Sequence, residues 1–147
     1  MKKIKNGFSM VELLFVMAIM AALAAIAIPS LSAGSDSATL TSMKSDAQNT
    51  ISTLQSAYVN TQDYTEISDG SSVVDYTDDN DDGFADTDLD SGQHIAISKG
   101  NTVSIETGTA NEAGEQSNDC FIVTVSNPKI EEKIAFDSCN DGKLQVE

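Results

Sequence analysis

Residues 8–28 read FSMVELLFVMAIMAALAAIAI, and this stretch decides the architecture. Only Ser9 and Glu12 in it are not apolar, and Leu13–Ile28 is an unbroken apolar run. At about 1.5 Å per residue, a helix over Phe8–Ile28 is roughly 30 Å long, enough to cross the hydrocarbon layer. Residues 1–7, MKKIKNG, carry three of the chain's lysines and no acid, and the chain after the apolar run is strongly acidic. Because cations resist translocation, this asymmetry places the N-terminus in the cytoplasm and the bulk of the chain outside.

Three readings compete for this segment. An ordinary secretory signal would share the charged start and apolar core, with Leu31-Ser32-Ala33 offering small residues for cleavage. A plain single-span anchor leaves Glu12 unexplained, because a carboxylate that deep in an apolar helix costs about 3 kcal/mol unless it lies near the interface or finds a partner. The third reading supplies the partner. Gly7-Phe8-Ser9-Met10-Val11-Glu12-Leu13-Leu14 resembles the start of type IV prepilins and pseudopilins. The resemblance implies a leader ending at Gly7, cleavage after it by a prepilin peptidase, and N-methylation of the new first residue, Phe8. Glu12 then becomes the fifth mature residue, as in that family, and Pro29 falls where such proteins carry a helix-kinking proline.

The family role of Glu12 has a physical basis. In a bundle of parallel, staggered helices, the amino terminus of one subunit can lie beside the carboxylate of its neighbour, where low dielectric strengthens the attraction. The pair would set the register and make an unpaired Glu12 costly outside the assembly. Ala18, Ala22 and Ala25, with Ala21 and Ala24 beside them, place small residues at three- and four-residue spacing, which permits close helix contact. Alanines that merely tolerate lipid would give the same pattern.

After Pro29, Leu40, Met43, Ala47, Ile51, Leu54 and Tyr58 recur at the spacing of one helical face, with Asp36, Lys44, Asp46 and Gln48 off it. One long helix from about Phe8 to about Asn60 is therefore expected, kinked or loosened near Pro29 and Gly34. Residues 61–92 hold no convincing long element. Eight of the sixteen residues from Asp75 to Asp90 are aspartates, which predicts a loop over 75–90. Ile95 and Ile97, then Val103 and Ile105, alternate across Lys99-Gly100-Asn101 and read as a hairpin. Further strands are expected at Phe121–Val125 and Ile134–Phe136, with a last turn at Asn140-Asp141-Gly142 leading into Leu144-Gln145-Val146.

A helix followed by a small antiparallel sheet gives an α+β fold, type IV pilin-like, with a long kinked N-terminal helix whose first half is transmembrane. The expected organisation is a basic leader over 1–7, a membrane or filament-core helix over 8–29, its amphipathic half over 30–60 and a head over 61–147. With 5% aromatic residues and no tryptophan, the sheet needs that amphipathic half to complete its core.

Cys120 and Cys139 are the only cysteines, and both fall in the exported part. A disulfide closing the loop 120–139 suits that compartment, with two free thiols as the alternative. A cysteine-bracketed loop near the C-terminus also resembles many type IV pilins and is less typical of the major pseudopilins of type II secretion. Asp78, Asn80 and Asp82 stand at alternate positions of a half calcium loop, with Gly83 for the turn, Phe84 for a backbone carbonyl and Asp86 at the ninth position. The twelfth position is Leu89 instead of glutamate. A Ca²⁺ site and a solvated acidic loop that keeps filaments soluble are the two readings.

Among 147 residues there are 8 lysines, no arginine and 23 acids, for a net charge of −15, which argues against direct nucleic-acid binding. His94, the only histidine, has no nucleophile motif near it, and no glycine loop of the phosphate-cradling kind occurs, so no enzyme is expected. The resemblance implies a structural subunit that polymerises with itself, served by a prepilin peptidase, an assembly ATPase and an inner-membrane platform protein. It would be an inner-membrane precursor with its head outside, then part of an extracellular pilus or a periplasmic pseudopilus. A type II secretion pseudopilin is the alternative within that architecture. A secreted calcium-binding module released by ordinary signal peptidase is the alternative outside it.

Overall fold

The structure, a computed structural model, describes residues 8–64, 73–108, 119–140 and 142–147, without the side chains of residues 29–33. The expected leader over 1–7, including Gly7, lies outside the described residues, as does Asp141 of the last turn. The chain divides into two compact units, Met1–Ser37 and Ala38–Glu147.

A single helix, α1 (Met10–Thr61), enters both units, and its assignment continues through Pro29 and Gly34. In the first unit the apolar segment Met10–Ile28 is long and apolar enough to cross a membrane, and none of it is buried within the protein. Every large apolar residue from Phe8 to Ile28 is at least 46% exposed, as expected of a helix that meets lipid or other helices.

In the second unit α1 lies on a five-stranded antiparallel sheet in the order β1-β2-β3-β4-β5. The strands are β1 (Val73–Thr77), β2 (Thr102–Thr107), β3 (Phe121–Ser126), β4 (Ile134–Asp137) and β5 (Leu144–Val146). Alternation puts one face inward: Val103 opposes Val125, Ile105 opposes Val123, Thr107 opposes Phe121, and Val125 in turn opposes Ile134, all of them buried. The helix contributes Met43, Ala47, Leu54 and Ala57 to the same core, flanked by the partly buried Leu40, Ile51 and Tyr58. At about 1.5–3 kcal/mol for each large side chain removed from water, this shared layer is what holds the sheet to the helix. The disulfide Cys120–Cys139 ties the start of β3 to the turn after β4, with Cα atoms 5.4 Å apart.

Two expectations are corrected. Ile95 and Ile97 are fully buried but form no strand with β2; their segment makes one isolated bridge, Ala96 to Phe84. The strand beside β2 is β1, so Asp75–Thr77 belong to the sheet and the aspartate-rich loop begins at Asp78. Tyr76 pairs with Val103 and is buried, which outweighs the exposed Asp75 beside it, whose carboxylate accepts the Ser104 hydroxyl at 2.5 Å. Asp46, off the apolar stripe, is nonetheless buried.

Candidate functional site

The residues read as a processing and assembly site lie at the start of α1. Ser9 is the N-cap. Its hydroxyl accepts the Val11 amide at 3.2 Å and its carbonyl accepts the Leu13 amide at 3.2 Å. Glu12, three residues on, reaches back so that its Oε2 accepts the Ser9 amide at 3.1 Å. The Glu12 bond is the reciprocal half of a capping box, Ser-x-x-Glu, while the Ser9 hydroxyl caps the amide of Val11 instead of that of Glu12, and Glu12 also lies where the helix dipole favours a negative charge. One Glu12 oxygen is thus held by its own backbone. The sequence signal for this was the Ser9–Glu12 spacing, which the demand for a distant cation obscured. Among the described residues, Oε1 makes no hydrogen bond, so one oxygen of the carboxylate remains an acceptor. Phe8 precedes the cap and is 83% exposed, and Pro29 lies within α1.

The aspartate loop is satisfied from within. Asp78 Oδ1 accepts the amides of Asp81 (2.7 Å) and Asp82 (3.2 Å), and its Oδ2 accepts that of Gly83 (2.9 Å). Asn80 Oδ1 accepts the Asp82 amide at 3.0 Å, Asp82 Oδ1 accepts the Phe84 amide at 2.9 Å, and Asp86 Oδ2 accepts the Asp79 amide at 2.7 Å. Gly83 adopts φ +90°, the left-handed conformation a tight turn requires. Leu89, at the would-be twelfth ligand position, is 2% exposed and belongs to the core, and Asp88 is paired with His94. Among the described residues no group of three or more His, Cys, Asp or Glu side chains is placed to hold a metal ion. Asp81 is bridged by Lys99, whose ammonium holds its proton more tightly for that hydrogen bond and charge.

Asp46 anchors the turn that carries Lys99. Its Oδ2 accepts the Ser98 amide (2.8 Å) and Asn101 Nδ2 (2.7 Å), and its Oδ1 accepts the Ser98 hydroxyl (2.8 Å). Asn127 Nδ2 donates to Asn101 Oδ1 at 2.6 Å, extending the network to the end of β3. At the other end of the head, Tyr58 stacks on Tyr64 at 4.3 Å between centroids, and Tyr64 packs on Phe121 at 4.7 Å. The Tyr58 hydroxyl donates to Asp119 at 2.6 Å. That hydrogen bond raises the Tyr58 pKa above the ordinary phenol value, and burial does the same for Tyr64.

No curated protein and no solved structure matches the chain. Residues 2–28 match the family model for the prokaryotic N-terminal methylation motif, a span that takes in Gly7, Phe8 and Glu12 and ends just before Pro29. With its unburied apolar helix, its capped Glu12 and its α+β head, the chain therefore carries the prepilin motif of type IV pilins and pseudopilins, and with it the marks of a membrane-anchored precursor.

Proposed function

We propose that this chain is the precursor of a structural subunit of a type IV pilus-like filament, cut after Gly7 and polymerised through the Phe8–Ile28 helices. The observation that carries the reading is a wholly unburied apolar helix bearing a charged residue at its start, within a matched methylation motif. Such a helix gains by packing against copies of itself, and Glu12 Oε1 is an acceptor for a neighbour's freed amine in a medium where charge pairing is strong. Its partners would be a prepilin peptidase, an assembly ATPase and an inner-membrane platform protein, and adhesion, surface motility or DNA uptake would be properties of the filament. No catalytic role is proposed for it.

Mass spectrometry of the mature N-terminus tests the reading. A chain beginning at methylated Phe8 supports it; a chain beginning at Gly34 would make this a product of ordinary signal peptidase instead. Glu12→Ala is expected to leave membrane insertion intact and to reduce filament yield at least tenfold, and an unchanged yield contradicts the pairing.

Within the same reading we propose the Asp78–Asp86 loop as the place where the head meets external calcium. The alternate Asp78, Asn80 and Asp82 and the Gly83 turn support this, and the core position of Leu89 sets the expected affinity in the weak, millimolar class. The melting temperature of residues 35–147 should rise in millimolar calcium relative to chelator, and Asp78→Asn should abolish the rise. A temperature indifferent to calcium leaves the loop a solvated acidic surface.

A further inference from the structure

The segment from Leu89 to Ile95 is pinned at both ends, because both of those side chains are buried in the core of the head. Between them the Leu89 amide donates to the Gln93 carbonyl at 3.0 Å and the Gly92 amide to the Leu89 carbonyl at 2.7 Å. The turn so fixed, with Gly92 at φ +77°, sets Gln93 and His94 beside α1. Two clefts meet at His94. One, of about 560 Å³, is bounded by Gln93 and His94 on one side and by Ser52, Thr53 and Ser56 of α1 on the other. The second, of about 380 Å³, runs from His94 to Phe84 and Asp86. Asp88 takes Nδ1 of His94, and the imidazole stands edge-on to the half-exposed Phe84 ring, with centroids 6.2 Å apart. We propose that the joined clefts are a binding site for a neutral glycan, a function of the head separate from filament assembly.

The groups lining the clefts select the ligand class. Elsewhere on α1, hydroxyls fold back onto the helix: Ser42 donates to the Thr39 carbonyl and Thr50 to the Asp46 carbonyl, both at 2.8 Å. Among the described residues, the hydroxyls of Ser52, Thr53 and Ser56 and the carboxamide of Gln93 make no such bond, so each keeps its capacity to donate and to accept. Asp86 gives one oxygen to the Asp79 amide and keeps the other. The backbone of Phe84 is held by the Asp82 carboxylate and by the bridge to Ala96, which fixes where the ring stands. Among the described residues no lysine lines either cleft, and the chain carries a net charge of −15, so phosphates and other anions are repelled. Acyl chains gain little from a wall of hydroxyls. A sugar suits these walls. Its hydroxyls pair with groups that both donate and accept, a carboxylate oxygen strengthens one such bond, and its apolar C–H face can lie on the Phe84 ring. A single open site of this kind binds weakly, and the repeated heads of the proposed filament would multiply its hold.

The test titrates the full-length protein, in a detergent without a sugar headgroup and with chelator present, with maltotetraose, cellotetraose and the N-acetylglucosamine tetramer, and with tetralysine as a cationic control. At least one neutral tetramer should bind at millimolar concentration by calorimetry, with an affinity indifferent to added salt. Phe84→Ala should weaken that binding about tenfold, and Ser52→Ala and Ser56→Ala about fivefold each, the loss of one stacking face and of one hydrogen bond respectively. All three side chains are exposed, so the variants should melt at the wild-type temperature. Three outcomes overturn the inference: no neutral tetramer binds; binding is unchanged in all three variants, which puts it elsewhere on the chain; or only tetralysine binds and salt abolishes it, which makes this an acidic surface. Each of them leaves the filament reading standing, because that reading is tested at the mature N-terminus.

Discussion

At the scale of single residues, the informative cases are charged groups in places where composition alone argues against them. Asp46 stands off the apolar stripe of α1, and its spacing in the sequence names no partner for it. In the folded head it is 3% exposed and accepts three hydrogen bonds from Ser98 and Asn101. Removing it strands the buried Asn101 amide and the part-buried Ser98 donors, at about 1–3 kcal/mol for a fully buried unsatisfied group. Asp46→Ala is therefore expected to destabilise residues 35–147 by about 3 kcal/mol in denaturant unfolding, and a loss below about 0.5 kcal/mol would show that the network is not holding the turn. Ser9 and Glu12 differ from Asp46 in that their partnership is local. Their spacing is legible in the sequence, and only the stronger question of what neutralises a membrane acid kept it from being read.

At the scale of elements, the aromatic cluster and the disulfide both secure the region around Cys120 and Phe121. Tyr58 and Tyr64 hold their protons to higher pH in the folded head than in the unfolded chain, where the phenol value is 10.0. Their contribution is thus fully present below that value and is lost as pH rises through the folded values. The melting temperature of residues 35–147 should be insensitive to these groups up to about pH 10 and fall above it. Tyr58→Phe should make that fall shallower, and an equally steep fall in the variant would assign it to other groups. Reducing Cys120–Cys139, which are 19 residues apart, should cost about 3 kcal/mol in the chain-entropy model, seen as a lower melting temperature in reductant. Strand β1 shows why an element escaped the sequence reading. Val73–Thr77 is short, contains Asp75 and runs into the aspartate loop, so its local signals are those of a turn. Pairing with β2 and burial of Tyr76 make it a strand. Ile95 and Ile97 are the converse, because alternation reports which side chains are buried and does not report which backbone pairs with which.

At the scale of the whole molecule, the chain joins an unburied apolar helix to an acidic head with its own core. Full-length mature protein should therefore need detergent or self-assembly to stay in solution, whereas residues 35–147 should be monomeric by light scattering. A head that associates strongly on its own would move the assembly surface away from the helix. The sequence by itself determined the apolar segment, the methylation motif, the helical stripe from Leu40 to Tyr58, strands β3 to β5 and the cysteine pair, because each rests on length, periodicity or spacing between near neighbours in the chain. Tertiary structure alone decided that β1 lies beside β2, that Ile95 and Ile97 enter the core without a strand partner, and that Asp46 is buried among donors from residues 98–101. Those outcomes depend on hydrogen bonds and packing between segments some thirty to fifty-five residues apart, and no local pattern encodes which distant group will satisfy a given strand edge or carboxylate.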